Sequence, residues 1–547
     1  MKKHNLQLAS LSVLSAILMS LPFLVPHLGF FSLFGLVPLL CMERIASING
    51  IKKVWMWHYG TFVLWNALTT FWVCNATVAG GIFAILANSL QMSLVFGLFR
   101  FSKKYLKGAL PYIFLAVTWI AWERAYYGAQ ISWPWLVLGN SFAGSPSCVQ
   151  WYEYTGTLGG SLWIWAANLG LFGIMTALSD GSWNAYNKPA KFSAIAGYAV
   201  ILAGPLILSE IIYMKYEETD DPLAVTIVQP NIDPYSKFEF LSQQQQNVIL
   251  LDQMKEALKS GYKNDTTGKP LLVVAPETFT SDIITNDFNE SRTYRRFVAF
   301  LKDYPNTNLL FGASSHEFIY GTKAPSYTAR KYSDGIWVES HNSAMITDGT
   351  GRGDIYHKTK LVVGAEMTPY PALFCKIDNM LGGVMGRDIG QKNITLLHCR
   401  SYNADGSVKR SIPVGTAVCY ESVYGEYCTG YIKAGAEALT IITNDAWWGD
   451  TPGYRQHLRY ASLRAIETRR DIARCGNTGI SAIIDQRGDI LKKSGWWKQD
   501  IIKGDINLNS KMTFFVLEGD ITGKICTFMF LLLFLAVIVR VFVPEKR

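Results

Sequence analysis

Apolar residues crowd both ends of this chain and thin out between them. The first 215 or so residues run as apolar stretches separated by short polar connections, a mixed stretch follows to about residue 520, and one apolar run closes the sequence. Eight runs are candidate membrane spans: Leu6–Leu24, Gly29–Cys41, Val54–Val73, Ile82–Phe99, Leu110–Trp122, Leu162–Leu178, Ala194–Ile212 and Ile525–Val539. A helix needs about 20 apolar residues to cross a bilayer; several runs reach this, and others only with their flanks. Leu6–Leu24 lacks a small-residue cleavage site and another apolar run follows at once, so it is expected to be a retained helix and not a signal peptide.

The middle stretch has a different rhythm. Short β-branched runs at Ala224–Val228, Leu271–Ala275, Leu309–Ser314, Ser343–Ile346, Ile412–Val418, Ala438–Thr443 and Ile480–Asp485 alternate with amphipathic segments at Leu241–Leu258, Tyr294–Tyr304, Val423–Ala434 and His457–Arg470. Strand–helix alternation predicts an α/β domain, a sheet covered by helices. The expected organisation is therefore membrane helices over 1–214, an α/β domain over 215–520, and a last helix with its tail over 521–547.

Composition agrees with the pattern. Hydrophobic residues make up 50% of the 547 and charged residues 17%, too apolar for an ordinary soluble enzyme of this length. With eight spans, Lys2, Lys3, Arg44, Lys52, Lys53, Arg100, Lys103, Lys104, Lys107, Lys188, Lys191, Lys546 and Arg547 all fall on one side, whereas the connection Asn75–Gly81 carries no basic residue. The positive-inside rule then puts both termini in the cytoplasm and residues 215–520 outside. The net charge of +9 is largely this topology signal, and no nucleic-acid partner is expected.

The nine cysteines have no spacing suited to a metal, and neither metal nor cofactor is expected. Cys375 and Cys399 flank an irregular Gly- and Asn-containing stretch of the outside domain; a disulfide and two free thiols are equally open there.

Three strings carry the chemistry. Cys419 ends the run Ile412–Val418, and the polar turn after it leads into a helix-like segment, whose N-terminus would favour thiolate. Glu277, directly after Pro276 at the end of another apolar strand, is placed to act as a base in a partly apolar pocket. Lys358 follows Gly353-Asp354-Ile355-Tyr356 and would supply a cation for an oxyanion. Lys360 shares its face and is a rival, and a surface pairing of Lys358 with Asp354 is the bland alternative. His316, His341 and His357 stay open as other bases. A lone cysteine is more often a buried hydrophobe; its two companions argue for a nucleophile.

Together these strings resemble the nitrilase superfamily, whose triad runs Glu, Lys, Cys along the chain. The surrounding helices are similar to those of its branch that acylates lipoproteins in bacterial envelopes. The resemblance implies an αββα sandwich outside a helical membrane domain. It makes Glu277 the base, Lys358 the oxyanion stabiliser and Cys419 the nucleophile. Asn342 heads a strand that matches the family, and Glu366 ends a loop reading Val363-Gly364-Ala365-Glu366 where the family usually has Pro-Phe-Gly-Glu. Tyr420 and Glu421 support the site, and Phe238 stands where a tryptophan is usual. Trp447 and Trp448, in Thr443-Asn444-Asp445-Ala446-Trp447-Trp448-Gly449-Asp450, would line a lipid path unless they are ordinary core. The implied partners are a phospholipid acyl donor, a diacylglyceryl apolipoprotein acceptor and the bilayer. The implied setting is the bacterial inner membrane, multi-pass and monomeric, with the catalytic domain periplasmic.

Overall fold

The computed structural model describes residues 2–234, 237, 240–259, 269–380, 383 and 385–543. Phe238 lies outside the described residues. The chain divides into two compact units: Met1–Tyr216 with Thr451–Arg459 and Glu518–Arg547, and Glu217–Asp450 with Tyr460–Leu517.

The first unit is helical. Its long helices are α1 (Lys2–Leu24), α2 (Val37–Ile48), α3 (Trp55–Thr70), α4 (Val78–Ser102), α5 (Leu110–Gly128), α6 (Tyr152–Ser179), α7 (Lys188–Lys215) and, at the end of the chain, Ile521–Phe542. Six helical stretches among the described residues are long and apolar enough to cross a membrane: His4–Leu24, Gly29–Ile48, Val78–Ser102, Tyr152–Ser179, Lys188–Lys215 and Ile521–Phe542. Over the other two expected spans lie α3, with 16 residues, and α5, with 19.

Backbone polar groups at membrane depth need partners inside the protein, and α7 shows how one is found. Pro205 has no N–H to give the carbonyl of Ile201, and Trp163 Nε1 donates to that carbonyl instead at 2.7 Å. The aromatic stretch 131–151 is largely buried, with Trp133 and Trp135 stacked at 5.2 Å. Gln456 belongs to this unit as well. It accepts from Trp135 Nε1 at 2.7 Å and donates to the carbonyls of Phe23 at 3.2 Å and Thr69 at 3.1 Å, at the ends of α1 and α3.

The second unit holds two sheets. The strands are β1 (Pro222–Gln229), β2 (Leu271–Val274), β3 (Thr280–Ile284), β4 (Thr307–Tyr320), β5 (Arg330–Ser333), β6 (Ile336–Asp348), β7 (Gly353–His357), β8 (Leu397–Tyr402), β9 (Val408–Val418), β10 (Ala438–Thr443), β11 (Ile472–Gly476), β12 (Ala482–Ile484), β13 (Ile490–Lys493) and β14 (Asp500–Asn507). Among the described residues, one sheet runs β14-β1-β2-β4-β6-β5, with β3 on β4 and β7 on β6, and the other runs β13-β12-β11-β10-β9-β8.

The sheets face each other. Asn308 of β4 exchanges two hydrogen bonds with the backbone of Arg400 on β8, at 2.8 and 2.9 Å, and Cys475 of β11 donates to the carbonyl of Val228 on β1 at 3.3 Å. The outer face of the first sheet is covered by α8 (Gln243–Lys259) and α9 (Arg292–Leu301): Leu250, Met254 and Phe297 pack on Val273, Leu309, Phe311 and Met345. The intervening Leu272, Val274 and Leu310 are equally buried. That is why β2 reads as an unbroken apolar run, as parallel strands buried on both faces do. The second sheet is covered by α11 (Gly425–Lys433) and the latter part of α12 (Pro452–Thr468), with α10 (Pro371–Met380) in a long connection. Gly415 of β9 leaves room for Tyr431 of α11, since a Cβ there would lie 2.7 Å from the Tyr431 Cβ. The layers are therefore α-β-β-α. Cys375, in α10, and Cys399, in β8, are both free and buried, so the disulfide alternative gives way to two unpaired thiols.

Candidate active site

Strand register gathers one end of both sheets. In the first sheet Val274 of β2 is level with Leu310 of β4, Ser314 of β4 with Asn342 of β6, and Ser343 with His357 of β7. Glu277 leaves the end of β2, Lys358 the end of β7, and Asn342 lies between them. In the second sheet Val418 of β9 is level with Ile442 of β10, so Cys419 and Asn444 leave neighbouring parallel strands together.

The acidic side is tightly pinned. Glu277 Oε1 accepts from Lys358 Nζ at 3.2 Å and from Asn342 Nδ2 at 2.8 Å, and its Oε2 accepts from the Asn444 N–H at 3.0 Å. Lys358 Nζ also donates to Glu366 Oε1 at 2.7 Å, and Asn342 Nδ2 to the same oxygen at 2.6 Å. Glu366 is tied to its own loop by the Val362 N–H at 2.7 Å. Lys358 is 1% exposed. Burial works against its charge, but the carboxylates of Glu277 and Glu366 outweigh this and hold the ammonium well above its ordinary proton affinity. Lys360 is excluded from this role, because its amine lies over the rings of Tyr424 and Tyr427, 5.0 and 5.8 Å from their centroids. Asp354 pairs with Arg400 at 2.7 Å and His398 at 3.0 Å, not with Lys358.

Cys419 has φ 49°, a left-handed conformation that costs a non-glycine residue roughly 1–3 kcal/mol and recurs at functional sites. It opens a 3-10 turn, Cys419–Val423, and α11 begins only at Gly425. The polar turn expected behind the thiol is thus a tight 3-10 turn, and the helical segment expected from Val423 begins two residues later, at Gly425. The turn is fastened from two sides. Ser422 Oγ donates to the Cys419 carbonyl at 2.7 Å, and Arg464 Nη1 to the Val423 carbonyl at 2.8 Å, while Arg464 is itself paired with Glu467 at 2.8 Å.

The residue keeps partial exposure, yet its thiol is desolvated. Burial first and the Glu277 charge second push it well above an ordinary thiol, with Lys358 pulling the other way. The resting nucleophile is therefore protonated and needs a base, and Glu277 is the carboxylate whose charge the thiol feels most. The three histidines are engaged elsewhere: His357 with Ser343 Oγ at 2.7 Å, His341 with the Ile389 carbonyl at 2.7 Å and His316 with Ser340 Oγ at 3.2 Å. Burial, helped by His341, lowers His357 to about 4.

Glu421 is fully buried and bridges two chain segments. Its Oε2 accepts from the Val418 N–H at 2.9 Å, and its Oε1 from the N–H groups of Thr359 at 2.7 Å and Lys360 at 3.2 Å. Tyr420 is buried and packs edge-on against Tyr424 at 5.2 Å. Trp447 and Trp448 lie partly exposed in the turn after β10.

Several residues escaped the sequence reading. Asn444 acts through its backbone. Asn477 holds the chain at Ile232 with two bonds, at 2.6 and 3.0 Å, and reaches Asn444 Oδ1 at 3.3 Å. Asp445 and Arg474 form a wholly buried ion pair at 2.7 Å, and Asp445 adds to the charge felt by Cys419. Lys237 donates to the Thr278 carbonyl; burial lowers its pKa to about 8, with Glu277 opposing. The string around Asn444 stood out in the sequence, but backbone donors leave no mark on residue type.

Comparison with known proteins follows the same division. A model of the carbon-nitrogen hydrolase family matches residues 225–511, and one described as the apolipoprotein N-acyltransferase N-terminal domain matches residues 15–170. The chain is 28% identical over 510 residues to an apolipoprotein N-acyltransferase of Chlorobaculum tepidum, covering 91% of this chain and 90% of that one. It is 24% identical over 535 residues to a protein of the same name from Geobacter metallireducens, covering 94% and 92%. Among solved structures, Saccharomyces cerevisiae Nit3, a nitrilase-superfamily member, aligns with a TM-score of 0.36 at 16% identity, covering 61% of this chain and 98% of that one.

Proposed function

For a chain that belongs to the carbon-nitrogen hydrolase family, we propose apolipoprotein N-acyltransfer: an acyl chain passes from a membrane phospholipid, through a thioester on Cys419, to the α-amino group of a diacylglyceryl-cysteine. Relatives of that name match along almost the whole chain. The observation that carries the chemistry is the desolvated Cys419 thiol beside the Glu277–Lys358–Glu366 cluster.

In the first half-reaction Glu277 takes the thiol proton and the thiolate attacks the ester carbonyl. The oxyanion that forms is neutralised by Lys358, whose charge the two carboxylates sustain. Collapse breaks the ester C–O bond, and the lysophospholipid leaves with the proton held by Glu277. In the second half, the lipoprotein amine attacks the thioester, Glu277 accepts its proton, and that proton returns to the departing thiolate. Bonds and protons balance, and Cys419 is regenerated. A thioester intermediate suits the task, because it is more reactive toward an amine than the starting ester.

Two features support a lipid substrate at a membrane. Among its described residues the helical unit has six stretches long and apolar enough to cross a bilayer, and α10, which leaves the Glu366 loop, exposes Leu373, Ile377 and Met380. For orientation, Arg44, Lys52 and Lys53 lie near the α2–α3 connection, Lys103, Lys104 and Lys107 near α4–α5 and Lys188 at the start of α7, which supports cytoplasmic termini and a periplasmic α/β unit. The proposed enzyme is an inner-membrane monomer with Tyr420, Glu421, Asn342 and Glu366 supporting the triad and Trp447 and Trp448 flanking the lipid path.

The test is mass spectrometry of the purified protein incubated with phospholipid. An acyl mass on the Cys419 peptide, absent in Cys419→Ala together with transfer, is expected. Transfer that persists in Cys419→Ala with no acyl-enzyme sinks the proposal.

A further inference from the structure

The Glu421 carboxylate has more partners than the three backbone N–H groups. Tyr356 Oη donates to its Oε1 at 2.6 Å, and Tyr431 Oη, 2.8 Å from Tyr356 Oη, lies 3.2 Å from Oε2. Tyr427 Oη is 2.6 Å from Tyr356 Oη. Tyr356 and Tyr431 are both 0% exposed and pack ring edge to face at 5.8 Å. Tyr356 sits on β7 two residues before Lys358, and Tyr431 sits on α11, which follows the nucleophile turn.

We propose that Tyr356 and Tyr431 are positioning residues for acyl transfer. Through Glu421 they fix the distance between the Lys358 segment and the Cys419 turn. A buried carboxylate stays ionised only while donors surround it. With the hydroxyls gone, Glu421 takes up a proton. The protonated oxygen then repels an N–H aimed at it, so either Val418 or the Thr359–Lys360 pair is released. Lys358 then drifts from the thiol, and thiolate forms less readily. This deepens the reading above and rests on it, but it is measurable without any lipid.

The experiment follows iodoacetamide alkylation of Cys419 against pH in the full-length protein, read from the mass of its peptide. Tyr356→Phe and Tyr431→Phe keep the rings and lose only the hydroxyls. Each is expected to slow alkylation at neutral pH at least fivefold and to move its midpoint to higher pH. In a Glu421→Gln background the same changes are expected to alter the rate less than twofold, because the tyrosines act through that carboxylate. A lowered melting temperature with an unmoved alkylation profile overturns the proposal, and so do effects that multiply in the Glu421→Gln background. Should phospholipid fail to acylate the wild type while these shifts appear, the substrate reading falls and the positioning role stands.

Discussion

Gly312 passes beneath Glu277 so closely that a Cβ on it would lie 2.4 Å from the Glu277 Cα. The same crossing is bonded on both sides, since the Gly312 N–H donates to the Pro276 carbonyl at 3.0 Å and the Gly312 carbonyl accepts from the Phe279 N–H at 2.8 Å. The base is therefore set in place by a backbone contact that only glycine allows.

Gly312→Ala is accordingly expected to move Glu277 without removing it. A misplacement of about 1 Å can cost on the order of a hundredfold in rate, so acyl-enzyme formation should fall by about that factor while the circular dichroism spectrum stays native. A variant with wild-type acylation would show that the carboxylate position is not critical.

Glu277→Gln separates the base from its electrostatic side effect. The Glu277 charge is one reason the Cys419 thiol holds its proton so firmly. Removing that charge stabilises the thiolate, so alkylation of Cys419 should shift to lower pH. Acyl transfer should still be lost, because the amide cannot carry the thiol proton to the leaving alkoxide as the Glu277 carboxylate does. A shift to higher pH would mean that Glu277 assists the thiolate at rest.

The unequal legibility of this fold has physical causes. β2, β10 and the Ile412–Val418 end of β9 announced themselves because strand segments in parallel pairing and buried on both faces are largely apolar. β11 did not, because Arg474 interrupts it. The charge of that residue is admissible in the core because it is paired with Asp445, 29 residues away in sequence. β14, written Asp500-Ile501-Ile502-Lys503-Gly504-Asp505-Ile506-Asn507, carries charges along an edge and pairs with β1 across the whole length of the unit's sequence. At the site, Glu277, Lys358 and Cys419 were readable as residue types at strand ends. The Asn444 N–H and the left-handed φ of Cys419 are backbone properties, and the tyrosines around Glu421 meet it only through tertiary packing.

Lys358 and Lys360, two residues apart, should respond oppositely to substitution. Lys358 is a point charge wedged between two carboxylates, and a guanidinium neither fits that space nor presents the same donors. Lys358→Arg is expected to abolish detectable acyl-enzyme. Lys360→Ala removes an amine that rests on two tyrosine rings, worth roughly 0.5–1 kcal/mol, and should lower activity less than tenfold. Mass spectrometry of the Cys419 peptide after a fixed incubation distinguishes the two, and equal losses would return Lys360 to the reaction.

The Asp445–Arg474 pair lies behind the nucleophile with both side chains 0% exposed. Asp445 also accepts from Thr443 Oγ1 at 2.6 Å, and Arg474 Nη1 donates to the Ile480 carbonyl at a short contact. Breaking such a pair from one side leaves a charge with no water and no counter-charge, at a cost of about 3–5 kcal/mol. Asp445→Asn should therefore destabilise the α/β unit by about that amount in a denaturant titration. Removing both charges, as in Asp445→Asn with Arg474→Met, should recover part of the loss, because no unpaired ion remains. The double variant also tests the electrostatics of the site. Asp445 raises the proton affinity of Cys419, so its neutralisation should move thiol alkylation to lower pH even where stability is restored. A double variant no more stable than Asp445→Asn would place the cost in lost packing and not in the stranded charge.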